Sequence, residues 1–130
     1  MARRILIVVD SLKVEAELIE SPTAETIWNS LPIDGSANTW GDEIYFSIPV
    51  KADLEEGARE EMERGELGYW PPGEAFCIFF GPTPMSTGEE IRAASPVNPF
   101  GKILGDSEVF KAVKTGMKVR IEKQLDRQGV

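Results

Sequence analysis

Trp40-Gly41-Asp42-Glu43-Ile44-Tyr45-Phe46-Ser47-Ile48 is the stretch on which the fold class turns. Ile44, Phe46 and Ile48 fall on one side of an extended chain, while Glu43, Tyr45 and Ser47 fall on the other. A period of two belongs to a strand with one buried face. The same alternation returns upstream in Lys13–Leu18, with Val14, Ala16 and Leu18 opposite Lys13, Glu15 and Glu17. Arg4–Val9 precedes it across Asp10-Ser11-Leu12, which predicts an opening hairpin. Downstream, Tyr69-Trp70-Pro71-Pro72-Gly73 reads as an aromatic strand end running into a rigid turn. Ala75–Phe80 is apolar on both faces and predicts the most central strand. Gly81-Pro82-Thr83-Pro84 ends it, because proline donates nothing to a ladder. Met117–Gln124 predicts the last strand, with Val119 and Ile121 pointing inward.

Helical signals are few. Ser21 can cap, Pro22 suits a first helical position, and Glu25 faces the positive end of the dipole. Ala24, Ile27, Trp28 and Leu31 form one stripe, and Pro32 stops it. A second short turn is expected over Ser107–Lys114, capped by Asp106 and stopped by Gly116. Residues 53–64 are ambiguous: Glu-rich composition favours helix, but Gly57 and Gly65 interrupt it. Ile33–Thr39 and Pro96–Pro99 read as loops, and Leu125–Val130 as a frayed tail. Many short strands and Gly/Pro turns favour a mainly β barrel or sandwich in one domain.

Composition narrows the functional classes. The 130 residues carry a formal charge of −8, which disfavours nucleic acid and anionic membrane surfaces as partners. There is no histidine, so the commonest general base, the usual zinc ligand and every Ser-His or Cys-His pair are missing. Cys77 stands alone in an apolar run and reads as a buried, inert thiol. The apolar run Ile5–Val9 is too short for a signal peptide or a bilayer span. A cytoplasmic protein with no cofactor and no metal is expected.

Five strings resemble a known family: Pro-Thr-Ala at 22–24, Trp-Gly-Asp-Glu-Ile-Tyr-Phe at 40–46, and Tyr-Trp-Pro-Pro-Gly at 69–73. The others are Cys-Ile-Phe-Phe-Gly-Pro-Thr-Pro at 77–84 and Glu-Ile-Arg-Ala-Ala-Ser-Pro-Val-Asn at 90–98. In this order they resemble the small prokaryotic cyclophilin-like proteins. The resemblance implies a closed antiparallel cyclophilin-like β-barrel over residues 1–124 with one or two capping helices, and a strand at Ala58–Arg64. It also raises peptidyl-prolyl isomerisation, which needs an arginine near the prolyl nitrogen and a slot for the ring but no nucleophile. The Phe-His-Arg and Phe-x-x-Gln-Gly-Gly signature of the catalytic cyclophilins is not present. Arg92 is the best candidate for a catalytic arginine, since it lies within a resembling string.

The expected site is a groove on the outer barrel surface that binds a peptide or small-molecule ligand. Glu43 and Tyr45 supply a carboxylate and a ring from one register. Arg92 and Asn98 join them, with Thr83 and Ser86 from the rigid loop. The other aromatic residues are assigned to the core. Asp42 and Glu43 point to opposite faces and cannot act together as an acid–base pair; an acid–base role would require a carboxyl with a raised pKa in a cleft.

Overall fold

A computed structural model describes residues 3–124. The tail assigned to 125–130 lies outside the described residues. Strands β1 (Arg4–Val9) and β2 (Leu12–Leu18) form the expected hairpin, turned at Asp10 with a positive φ of 53°. Helix α1 (Pro22–Ser30) follows, with the Ser21 hydroxyl accepting from the Ala24 amide and Thr23, Ala24 and Ile27 buried. Then come β3 (Ile33–Ser36), β4 (Asn38–Thr39), β5 (Glu43–Ser47), β6 (Arg59–Met62), β7 (Glu66–Trp70) and β8 (Ala75–Phe79). The long β9 (Ile91–Ile103) and β10 (Lys118–Gln124) complete the ladder. Two 3₁₀ turns, Pro71–Gly73 and Ser107–Ala112, lie between strands, the second capped by Asp106 as the sequence indicates.

Every pairing is antiparallel, and the strands run in the order β3-β10-β1-β2-β9-β7-β8-β5-β4. Among the described residues no ladder joins β3 to β4, so hydrogen bonds do not close the sheet as the resemblance implied. The two end strands are instead consecutive in the chain, separated by Ala37 alone. Ala37 donates to the Met117 carbonyl at 2.8 Å and accepts from Gly116 at 2.9 Å. The run assigned to a loop, 33–39, is therefore extended, with its first part paired to β10 and its last to β5. Its polar, glycine-bearing composition hid this, because backbone pairing at a sheet end does not require apolar alternation.

The alternation seen in the sequence sorts side chains into two cores. Ile44 and Phe46 of β5, Leu67 and Tyr69 of β7, and Phe76 and Ile78 of β8 join the main core with Ile5, Ile7 and Phe100. Phe46 stacks on Phe76 with centroids 5.0 Å apart, and Phe76 meets Phe100 edge-on at the same distance. The opposite faces of those strands build a second, smaller core of Ala75, Cys77, Phe79, Met62, Ile91, Ala93 and Val97, with Tyr45 and Trp70 packed against it. This explains why Ala75–Phe79 is apolar on both sides. It is covered on both faces, although it lies near one end of the strand order rather than at its centre.

The cover is a flap. Over its first half β9 pairs with β6, with Glu61 opposite Arg92 and Met62 opposite Ile91. Over its second half it pairs with β7 and β2. The change of partner falls at Val97–Asn98, between Pro96 and Pro99. The two prolines expected in a loop thus lie inside a strand, at the place where its ladder is interrupted and a missing amide is tolerated. Residues 59–62 are strand, as the resemblance implied for that segment.

Gly68 shows how closely the flap sits on the sheet. A Cβ built there would lie 2.8 Å from Cγ2 of Val97 and 3.2 Å from Cε2 of Phe79. Gly68→Ala is expected to destabilise the fold by about 1–3 kcal/mol, the usual range for overpacking. Val97→Ala in the same chain is expected to recover part of that loss. Urea unfolding of the two single variants and the double variant measures the coupling.

Candidate functional site

Beneath the flap is a cavity of about 250 Å³ lined by Trp40, Glu43, Tyr45, Trp70, Ala93, Ala94 and Val97. Each wall has a local cause. Trp40 and Glu43 flank the two-residue turn from β4 to β5: the Trp40 amide donates to the Glu43 carbonyl at 2.9 Å, and the Glu43 amide returns to Trp40 at 3.2 Å. Gly41, with φ +61°, takes the first central position of that turn, where hairpins of this kind favour glycine. Tyr45 follows two residues on, so it shares the face of Glu43. Trp70 ends β7 on the same side of the sheet as Gly68, and its indole nitrogen donates to the Ser95 hydroxyl at 2.7 Å. The flap contributes the small residues, Ala93, Ala94 and Val97, so the space opposite the aromatic residues stays open.

Glu43 is the unusual member. It is 6% exposed, and among the described residues its Oε1 has no hydrogen-bond partner. Burial pushes its carboxyl up to about 7 from an ordinary 4.5, against a smaller opposite pull from the neighbouring Cys77 thiol. Burial, reinforced by the Glu43 charge, holds the Cys77 thiol well above its usual range. Cys77 is therefore a protonated, buried neighbour, in keeping with its apolar sequence setting.

The structure separates the six residues assigned to the groove. Glu43 and Tyr45 line the cavity together. Arg92 is not in its lining: the guanidinium lies between carboxylates, 3.6 Å from Glu60, 3.7 Å from Glu61 and 3.4 Å from Glu90. Thr83 is buried, its hydroxyl donating to the Arg92 carbonyl and accepting from the Met85 amide. The Ser86 hydroxyl accepts from the Thr83 amide at 3.0 Å. Thr83 fastens the Pro-rich loop to β9, and Ser86 braces the loop from within. Asn98 is fully buried. It donates to the Thr23 hydroxyl and the Asp53 carbonyl and accepts from the Glu55 amide, at 3.1, 2.9 and 2.8 Å. Glu55 in turn accepts from the amide and hydroxyl of Thr23. Asn98 thus ties α1 and the 53–55 segment to β9, and it is buried away from the cavity lining.

Composition alone places Trp40 and Trp70 in the core, whereas the structure puts both in the cavity wall. Trp70 carried a readable signal: stepping by two from Glu66 through Gly68 reaches it, opposite the inward Leu67 and Tyr69. Trp40 carried none, since a residue before a turn has no fixed face.

The sequence profile described as cyclophilin-like matches residues 3–122. The chain belongs to the cyclophilin-like family. Its fold is also similar to the solution structure of a hypothetical protein from Archaeoglobus fulgidus, with 41% identity, a TM-score of 0.80 and coverage of 95% of each chain. No curated protein matches. Within this cyclophilin-like fold, no helix among the described residues is long and apolar enough to cross a membrane.

Two outcomes separate the roles of Glu43 and Asn98. The folded protein holds a proton on Glu43 up to about pH 7, whereas an unfolded glutamate releases it near 4.5. The folded state therefore binds more protons between those values, and stability falls as pH rises from about 4.5 to 7, then levels off. At 1.36 kcal/mol for each pKa unit the loss is of the order of 3 kcal/mol. Glu43→Gln is expected to remove that slope and to be more stable than the native chain at pH 8, measured by urea unfolding across pH. Asn98→Ala is expected to lose about 2–3 kcal/mol at every pH, because buried partners are left unsatisfied.

Proposed function

We propose that this cyclophilin-like protein binds a small organic ligand, or a single side chain presented by a peptide, in the cavity between the flap and the outer face of β5 and β7. In this reading the sheet acts as a barrel wall, its two ends brought together through the 33–39 run, and the site lies on the outside of that wall. The observation that carries the proposal is the unpartnered Oε1 of Glu43 in the wall of an aromatic cavity. A carboxyl group left without a partner in a buried place lowers stability, and groups of that kind concentrate where a ligand supplies the missing contact. Three aromatic residues, two alanines and Val97 give the rest of the lining, the mixture of apolar walls and few polar groups that ligand pockets share.

Size limits the ligand. A dry cavity of ~150 Å³ holds benzene, and drug-sized ligands fill ~300–1,000 Å³. At about 250 Å³ the site matches a ring or a compact head group, not an extended peptide.

Neither catalytic alternative gains support from the geometry. An isomerase acting through Arg92 would have to draw its guanidinium away from Glu60, Glu61 and Glu90. Acid–base hydrolysis at Glu43 would use a carboxyl poised near neutrality, but among the described residues no second carboxylate lines the cavity to divide the work with it.

Phenol, a ring with one polar hydrogen, is a suitable first probe. It is expected to shift the amide resonances of Tyr45, Ala93, Ala94 and Val97 in a saturable way. Ala94 is exposed at the edge of the lining, so Ala94→Trp fills the mouth without disturbing the core. That variant is expected to keep the native spectrum elsewhere and lose the phenol response. Shifts scattered over the surface, or an unaltered response in the variant, would count against the cavity.

A further inference from the structure

The geometry points to an organic cation as the ligand: an alkylammonium or methylated ammonium head group held among Trp40, Tyr45 and Trp70, with its charge against Glu43. This assignment rests on the cavity being a binding site and adds the chemical class of what enters it.

Three observations combine. First, three of the seven lining residues are aromatic, and all three are of the types with an electron-rich face and a polar edge. Rings gathered round a small space attract a cation through their quadrupoles, with tryptophan the strongest, and the attraction grows as water is excluded. Second, the acidic group in the lining is 94% buried by the 6% exposure of Glu43, and its Oε1 is free. An anion would meet that carboxylate unfavourably, whereas a cation satisfies it.

Third, among the described residues no cation of the protein's own lines this place. Arg59 is paired with Glu66, Arg64 with Glu108, and Arg92 with Glu60, Glu61 and Glu90. The flap therefore carries its arginines on carboxylates elsewhere and presents Ala93, Ala94 and Val97 to the cavity. A metal ion is the wrong kind of cation here, because one carboxylate among indole, phenol and methyl groups cannot provide the several oxygen ligands a hard ion takes. A compact ammonium, with its charge spread over methyl or methylene hydrogens, matches both the rings and the volume. The overall charge of −8 favours the approach of such a cation from solution.

The proton linkage gives this assignment a distinctive sign. From β8 the titratable group facing Glu43 is Cys77, which stays protonated. On β5 it is the phenol of Tyr45. Trp40, Trp70 of β7 and the flap residues Ala93, Ala94 and Val97 bring no charge. Glu43 is then the group that changes state near pH 7. An ammonium binds the ionised carboxylate, so affinity falls as pH drops below about 7, approaching tenfold per unit. A neutral ligand that uses the protonated acid as donor would show the opposite trend.

The test compares choline with its neutral isostere, 3,3-dimethylbutan-1-ol, which has the same shape but a carbon in place of the nitrogen. Calorimetry or amide-shift titration of the intact protein at pH 8 is expected to show choline binding at least tenfold more tightly. Lowering the pH to 6 is expected to shrink that ratio, and Glu43→Gln to reduce it at pH 8 to the smaller preference that the rings alone supply. Equal affinities, or tighter binding of the alcohol, overturn the cation assignment while leaving the cavity as a ligand site. Failure of both probes and of phenol overturns the cavity itself, and this assignment with it.

Discussion

The contact between Val97 and the bare backbone of Gly68 holds the β6–β9 flap on the outer face of the sheet, and the site depends on it. Without the flap, Cys77, Phe79 and Ala75 would face water, and Glu43 would be an ordinary surface carboxylate. With it, those residues become a second core, and the strip beside Tyr45 and Trp70 becomes a cavity. The long β9 makes this possible by belonging to two ladders. Its second half is fixed in the main sheet by β7 and β2, so its first half can project across the outer face. The Asn98 network sits next to the change of partner and anchors it to α1 and the 53–55 segment. Fold and site are therefore joined through residues 97 and 98, one apolar and one polar.

The flap also sets the energy of Glu43. A buried carboxyl whose titration is raised by more than two pKa units removes a substantial share of the 5–15 kcal/mol that typically separates folded from unfolded chains. The same fold treats its other polar groups differently. Glu66, also nearly buried, accepts two bonds from Arg59 and one from the Glu63 amide. Glu90 accepts from the Thr87 amide and hydroxyl and from Gly88, bonds that lower its carboxyl to about 2. The chain thus satisfies buried or loop carboxylates where structure alone is at stake. Glu43 departs from that practice, and it does so in the aromatic cavity beneath the flap.

Much of the architecture was legible because strand alternation survives translation into sequence. The faces of β2, β5 and β10 follow from stepping by two, and the helix at Ser21 follows from its cap and proline. What failed were features created by pairing rather than by pattern. The 33–39 run has polar residues and still lies in strands, since its partners recruit its backbone. Pro96 and Pro99 normally punctuate a chain, yet β9 accommodates them where it changes neighbours. Within the site, Glu43 and Tyr45 were legible from their common register. Asn98, Thr83 and Ser86 were not separable from ligand-binding residues, because a polar side chain in a loop looks the same whether it serves the backbone or a guest.

Arg92 shows the same ambiguity resolved by neighbours. It lies in a family-like string and on the flap, one residue before a cavity wall, so position alone cannot tell its role. Alternation decides: Ile91 and Ala93 face the second core, which turns Arg92 outward to Glu60, Glu61 and Glu90. The pairs with Glu60 and Glu61 hold β6 to β9 along their outer side while Met62 and Ile91 hold it from within. An arginine turned in would have neutralised Glu43 and filled the cavity with the protein's own cation. Turned out, it stiffens the flap and leaves the carboxylate free, and that division of charge between the two sides of one strand keeps the space beneath it open to a ligand.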